Sequence, residues 1–222
     1  MELDHLAVLR DELALFQSCL SGDLSATVEH CAGWTLRDLA EHLGQGNLWA
    51  ATAVVERHGK AEPPPAPAEI AAWFADTARV LVEAVAIDPS TPAWTFGPPR
   101  TVAFWRRRRC LETLVHRWDA QHALGIAVPL EPVLCGDGIA EVFEVFVPRQ
   151  VRLGRAPEPK AAVRFIATDL DGSWVLGPGE PVATLSGAAE HLMLALWNRV
   201  PWTHLAGDSE TARAALPGPL VP

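Results

Sequence analysis

Glu112 and His116 stand four residues apart in the stretch Arg106–Gly125, RRRRCLETLVHRWDAQHALG. Read as one helix, that stretch sends both side chains from the same face, about one turn apart. A carboxylate and an imidazole fixed on one rigid element can fill two positions around a metal ion. Asp119 follows one turn later on nearly the same face. It either orients His116 from behind or forms a plain ion pair with Arg117 or a neighbour. A Glu–His pair at this spacing is also common on solvated helix faces, so a metal site needs a further donor. His42 is that candidate. It lies within the apolar stripe formed by Leu39, Leu43, Gly46, Trp49, Ala50 and Ala53, not on the polar side with Arg37 and Glu41.

His42, Glu112 and His116 together make a His2Glu set with open positions. That is the pattern of catalytic zinc, where water or substrate completes the shell. The lack of a cysteine ligand argues against copper(I) or an iron–sulfur cluster. His5, His30, His58 and His122 fit surfaces or helix caps better than a metal shell. There is no HExxH motif, so a zinc peptidase is disfavoured. A nucleophile elbow, a phosphate loop and a dinucleotide fingerprint are also missing.

The elements that position these residues follow from periodicity. Leu6, Leu9, Leu13, Phe16 and Leu20 recur at three- and four-residue steps, which predicts a helix over 3–20. Thr35 with Asp38 three residues on is a variant capping box, opening a helix that runs to about His58 before Gly59. Trp34 before the cap is positioned to staple onto Leu39. An interior glycine costs roughly 1 kcal/mol against alanine, so Gly46 is expected to open room above His42. KAEPPPAPA over 60–68 is a stiff loop. Helices are predicted over 67–87, 102–124 and 138–151, the last two separated by a stop at Gly125.

Composition then changes. RLGRAPEPK over 152–160 reads as a linker, and short strands follow over 161–168, 173–176 and 181–186. Helical stretches over 187–200 and 208–216 close the chain. The expected fold is therefore α+β and mainly α: an up-down four-helix bundle over 1–151, then a small α+β domain over 161–222.

At 222 residues the chain can bury a real core. A net charge of −9 argues against a general nucleic-acid binder. The one basic run, Arg106–Arg109, spreads its side chains around a helix. Arg108 and Arg109 precede Glu112 by one turn and either bind an anion, pair with Glu112 or are solvated; pairing or solvation is the expectation. The N-terminus MELDHLAVLR is charged and amphipathic, no apolar run reaches membrane-spanning length, and a cytoplasmic, non-membrane protein is expected. Cys19, Cys31, Cys110 and Cys135 form no CxxC pair and are expected to be reduced and mostly buried.

The stretch Gly33–Leu43, GWTLRDLAEHL, resembles the opening of the second helix in the mycothiol-dependent maleylpyruvate isomerase family, within the DinB-like bundle superfamily. Glu112–Asp119, ETLVHRWD, looks like that family's fourth helix. The C-terminal part, ending in Leu196-Trp197-Asn198-Arg199, resembles its second domain, which has a sterol-carrier-like fold. The resemblance implies that His42, Glu112 and His116 are metal ligands, most often of zinc. It implies that mycothiol binds with its sulfur at the metal, and that its thiolate adds to the cis double bond of maleylpyruvate. Rotation and elimination then give fumarylpyruvate. Arg199 falls where the family has an arginine serving the active site at the domain junction, and a guanidinium there suits a carboxylate; the other reading is a helix-terminal arginine helped by the macrodipole. A detoxifying thiol S-transferase would use the same site with a different pocket. The alternative class is a non-catalytic carrier of an apolar ligand, for which nine Trp and no Tyr would supply the walls.

Overall fold

The computed structural model describes residues 3–60 and 62–222. Met1 and Glu2 of the charged N-terminus and Ala61 of the stiff loop lie outside them. The chain divides after Val128 into two compact units.

The first unit is a four-helix bundle of α1 (His5–Cys19), α2 (Leu36–Val55), α3 (Ile70–Val85) and α4 (Val102–Ala123). Asp4 caps α1 by accepting from the backbone of Leu6 and Ala7. The capping box of α2 is complete. The Thr35 side chain accepts from the Asp38 N–H, and the Asp38 carboxylate accepts from the Thr35 N–H and hydroxyl. α1 lies against α4, and α2 against α3 and α4. Leu9, Leu13, Phe16, Leu39, Leu43, Phe74 and Leu81 fill the interior. The Trp73 ring of α3 sits on Gly44, where a β-carbon would collide with it. A second apolar cluster joins Trp49 of α2 to Trp94, Phe96 and Trp105, ring against ring. The Trp105 indole donates to the Trp94 carbonyl, so these aromatics pack on one another as core.

α4 departs from an ordinary amphipathic helix. From Arg108 to Gln121 nearly every side chain is buried, including Arg109, His116, Arg117 and Asp119. Such groups are tolerated only when paired. Arg117 donates through Nε and Nη2 to both oxygens of Glu12 on α1, at 2.5 and 3.2 Å, and through Nη1 to Gln121. Arg106 instead donates to the carbonyls of Val85 and Ile87.

The second unit begins earlier than expected. α5 (Pro132–Glu141) runs through one π turn at Val142–Phe146 into α6 (Val147–Arg152). Glu131 caps it by accepting from the Leu134 N–H, and Pro132 occupies the first helical position, where its missing N–H costs nothing. Pro148 cannot donate to the carbonyl four residues back, and the helix widens to a π turn just before it. The helix expected over 138–151 thus starts at Pro132 and belongs with the C-terminal unit, where α5 packs on α7 (Ala189–Leu196). The boundary falls after Val128 rather than in the 152–160 linker, because α5 buries Leu134, Cys135 and Ile139 within this unit.

Strands β1 (Ala162–Ala167), β2 (Ser173–Leu176), β3 (Pro181–Gly187) and β4 (Ala206–Gly207) form one sheet in the order β2-β1-β3-β4. β1 and β2 are an antiparallel hairpin, with Val163 opposite Leu176, closed around the expected Asp171-Gly172 turn. β1 and β3 run parallel. α7 and α8 (Ser209–Ala215) pack on β1 and β3. The unit is α+β and the whole chain is mainly α. Among the described residues no helix is long and apolar enough to cross a membrane.

Glu12→Ala strands the Arg117 guanidinium in the interior. Urea unfolding should show a loss of about 3 kcal/mol with an unchanged slope, whereas Glu12→Gln, which keeps an acceptor, should lose less. Equal and small losses in both would show that the pair does not join α1 to α4.

Candidate metal centre

α2 and α4 bring His42, Glu112 and His116 together. One ligand atom from each lies within 4.8 Å of the other two. His42 Nε2 is 3.3 Å from Glu112 Oε1. The His42 and His116 rings meet edge to face at 5.2 Å. His42 is half-exposed, so the group has an open side, while His116 is buried.

Each donor is held from behind. His116 Nδ1 is 2.9 Å from Asp119 Oδ2. An imidazole with Nδ1–H bonded to a carboxylate presents the Nε2 lone pair, which is the tautomer a metal requires. The Asp119 carboxylate thus has the contact that orienting His116 requires, and Arg117 pairs with Glu12. The Trp34 ring packs against His42 at 5.0 Å.

Glu112 is fixed by arginines. Arg109 Nη1 donates to Glu112 Oε2 at 2.8 Å, and Arg108 Nε lies 3.4 Å from the same oxygen. Oε1 is thereby left facing His42. Arg109 is buried, and its Nη2 donates to the Leu43 carbonyl at 3.0 Å and to Asn47 Oδ1 at 2.9 Å, both on α2. Asn47 in turn donates to Thr77 of α3. Gly46 is what admits the guanidinium: a β-carbon there would stand 2.6 Å from Arg109 Nη1. The room expected above His42 is occupied by this arginine. Of the three fates open to Arg108 and Arg109, the structure shows pairing with Glu112, in the interior rather than in solvent.

The electrostatics follow. Burial pushes the Glu112 carboxyl up, but Arg109, Arg108 and the His42 nitrogen outweigh it and hold the group well below the usual carboxylate range. Burial lowers the His116 imidazole, with Asp119 opposing in part. Near neutral pH Glu112 and His116 therefore offer a carboxylate and a neutral imidazole, the forms that bind a divalent cation. The donor set and its supports fit such an ion.

Several neighbours gave no signal in the sequence. Asn47 is a fully buried polar residue on the inner face of α2, visible only as an interruption of the apolar stripe. Cys31 offers its sulfur within 4.8 Å of donor atoms of His116 and Asp119. His30 and His122, expected at surfaces, stack with Trp118 and join Glu29 in a separate cluster. The four cysteines are free thiols, with Cys31 the half-buried one. Arg199, in the C-terminal unit just beyond α7, is half-buried; its Nη1 donates to the Trp197 carbonyl and its guanidinium lies 6.0 Å from the Trp197 ring centre.

The model of the mycothiol maleylpyruvate isomerase N-terminal domain matches residues 6–121, and that of the MDMPI C-terminal domain matches residues 134–218. No curated protein matches the chain. A crystal structure of a mycothiol-dependent maleylpyruvate isomerase is similar in fold, with a TM-score of 0.70 over 97% of this chain and 95% of that one, at 14% identity. The crystal structure of a histidine-to-alanine mutant of a mycothiol-dependent maleylpyruvate isomerase is similar at a TM-score of 0.68, over the same shares, at 15% identity.

Gly46→Ala separates helix propensity from the site. Alanine alone should add about 1 kcal/mol to the helix. Displacing Arg109 should instead lower stability and, with Zn2+ as the probe ion, weaken any uptake at this group about 10- to 100-fold, read by competition with a chromophoric chelator. A variant more stable than the parent with unchanged zinc affinity would contradict this role for Arg109.

Proposed function

Since the chain belongs to the mycothiol maleylpyruvate isomerase family, we propose that it is a metal-dependent enzyme that uses mycothiol to isomerise a small electrophile, in the manner of maleylpyruvate isomerisation. Thiol S-transfer to a different electrophile is the related activity the same site would support. The observation that carries the reading is the convergence of His42, Glu112 and His116 within 4.8 Å. The donor set suits zinc, with two imidazoles, one carboxylate and positions left for other ligands. A divalent cation bound there favours the cofactor's thiolate over its thiol, and the thiolate is the nucleophile.

The protein's own residues supply the rest. Arg109 and Arg108 keep Glu112 ionised and turn Oε1 toward His42. They also withdraw part of its charge, which leaves a bound cation more electrophilic. Asp119 fixes the His116 tautomer. Arg199 is assigned to the carboxylate of the substrate; its planar, permanently charged fork is the group suited to that task. The C-terminal unit is read as sterol-carrier-like from the family resemblance, and a four-stranded sheet is compatible with that reading. Four free thiols suit a reducing cytoplasm, where mycothiol stays a thiol, and the net charge of −9 does not suit nucleic acid.

The carrier reading is less well supported. Trp49, Trp94 and Trp105 pack ring against ring, and a carrier has no use for the donor set.

Purified protein should contain stoichiometric divalent metal, and His42→Ala should lose most of it together with isomerase activity. Mycothiol, but not glutathione, should raise the melting temperature of the metal-loaded protein. Metal-free wild-type protein that takes up no zinc would end the proposal. Arg199→Lys should raise KM for a dicarboxylate substrate at least tenfold with metal content unchanged; an unaltered KM would remove Arg199 from the site.

A further inference from the structure

The segment before α2 and the last turn of α4 bring a second donor set together. One ligand atom each from Glu29, His30 and His122 lies within 4.8 Å of the other two. We propose that these residues form a second, outer divalent-cation site, distinct from the group of His42, Glu112 and His116, that takes a borderline transition ion such as Zn2+.

The chemistry selects the ion. Two imidazole nitrogens and one carboxylate oxygen suit Zn2+, Ni2+ or Cu2+, whereas Ca2+ and Mg2+ prefer all-oxygen shells. The geometry is largely prepared. His122 Nε2 stands 3.1 Å from Glu29 Oε2. Trp118 stacks on His122 at 4.8 Å and 9°, and His30 lies 5.6 Å from the same indole at 23°. The two imidazoles are themselves 5.8 Å apart and nearly parallel. Trp118 is buried, so the stack seats both rings on a fixed platform and reduces the rotamer freedom that binding must remove. Glu29 and His122 are exposed, so an ion enters from solvent and water completes its shell. A surface Glu29–His122 ion pair alone accounts for two of these groups. His30, stacked on Trp118, brings a third donor within the same reach.

The site has a mechanical consequence. Residues 28–34 form a tight turn in which the Val28 N–H bonds the Trp34 carbonyl and the Trp34 N–H bonds the Cys31 carbonyl. The same turn carries Trp34 against His42 and Cys31 beside His116 and Asp119. An ion held by Glu29, His30 and His122 pins this turn to α4.

The test is stoichiometry. Full-length protein stripped with a chelator is titrated with Zn2+ against a chromophoric competitor of micromolar affinity. Wild type should bind two equivalents, and His122→Ala one. His30→Ala, checked by circular dichroism for an intact fold, should match His122→Ala. A His122→Ala variant that binds as many equivalents as wild type overturns the proposal, whatever the wild-type count. His42→Ala removes an inner ligand and leaves Glu29, His30 and His122 intact, so the outer site and the catalytic reading fail separately.

Discussion

A buried guanidinium holds the centre of the bundle together. Arg109 carries its charge into the interior, where an unpaired ion would cost several kcal/mol. It is made tolerable by the Glu112 carboxylate, the Leu43 carbonyl and the Asn47 amide oxygen. The reverse dependence matters as much. Burial alone pushes Glu112 toward its neutral form, and its ionisation rests on the two arginines and His42. Gly46 leaves the space, and Thr77 completes the chain by accepting from Asn47. One line of polar contacts thus runs from α3 through α2 to a metal-type ligand on α4.

The same logic explains why α4 is polar yet enclosed. Arg117 is answered by Glu12 on α1, Arg109 by α2, and His116 by Asp119 one turn on in the same helix. A sliding or rotated α4 would leave one of these groups unpaired, which costs more than the same error in an apolar helix. Paired charges therefore fix the register of α4 against both neighbours. That register sets Glu112 and His116 opposite His42, with one ligand atom from each within 4.8 Å of the others.

Much of this was legible in the sequence because it is local. The Thr35–Asp38 capping box, the four-residue step from Glu112 to His116 and the alternation in β1 all express the geometry of a single element. The resemblance of Gly33–Leu43 and Glu112–Asp119 to the family's second and fourth helices linked His42 to Glu112 and His116. What was not legible lies between elements. Periodicity places Gly46 on the inner face but does not say that an arginine from another helix fills the gap. It shows Asn47 as an interruption and Arg108 and Arg109 as a basic run, without showing that these residues satisfy one another. His30 and His122 read as surface residues because 92 positions separate them in the chain and only the fold stacks both on Trp118. The start of α5 was available in Glu131-Pro132, a cap followed by proline at the first helical position. The boundary after Val128 was not, because the proline-rich linker over 152–160 is the stronger compositional break.

The most direct measurement is anomalous diffraction at the zinc edge from crystals of the zinc-loaded protein. An anomalous peak is expected about 2.0–2.1 Å from His42 Nε2 and His116 Nε2 and about 2.0–2.2 Å from Glu112 Oε1, with Glu112 Oε2 still on Arg109. Density for zinc that avoids these three atoms, or a Glu112 carboxylate released from Arg109 when the ion is bound, would contradict it.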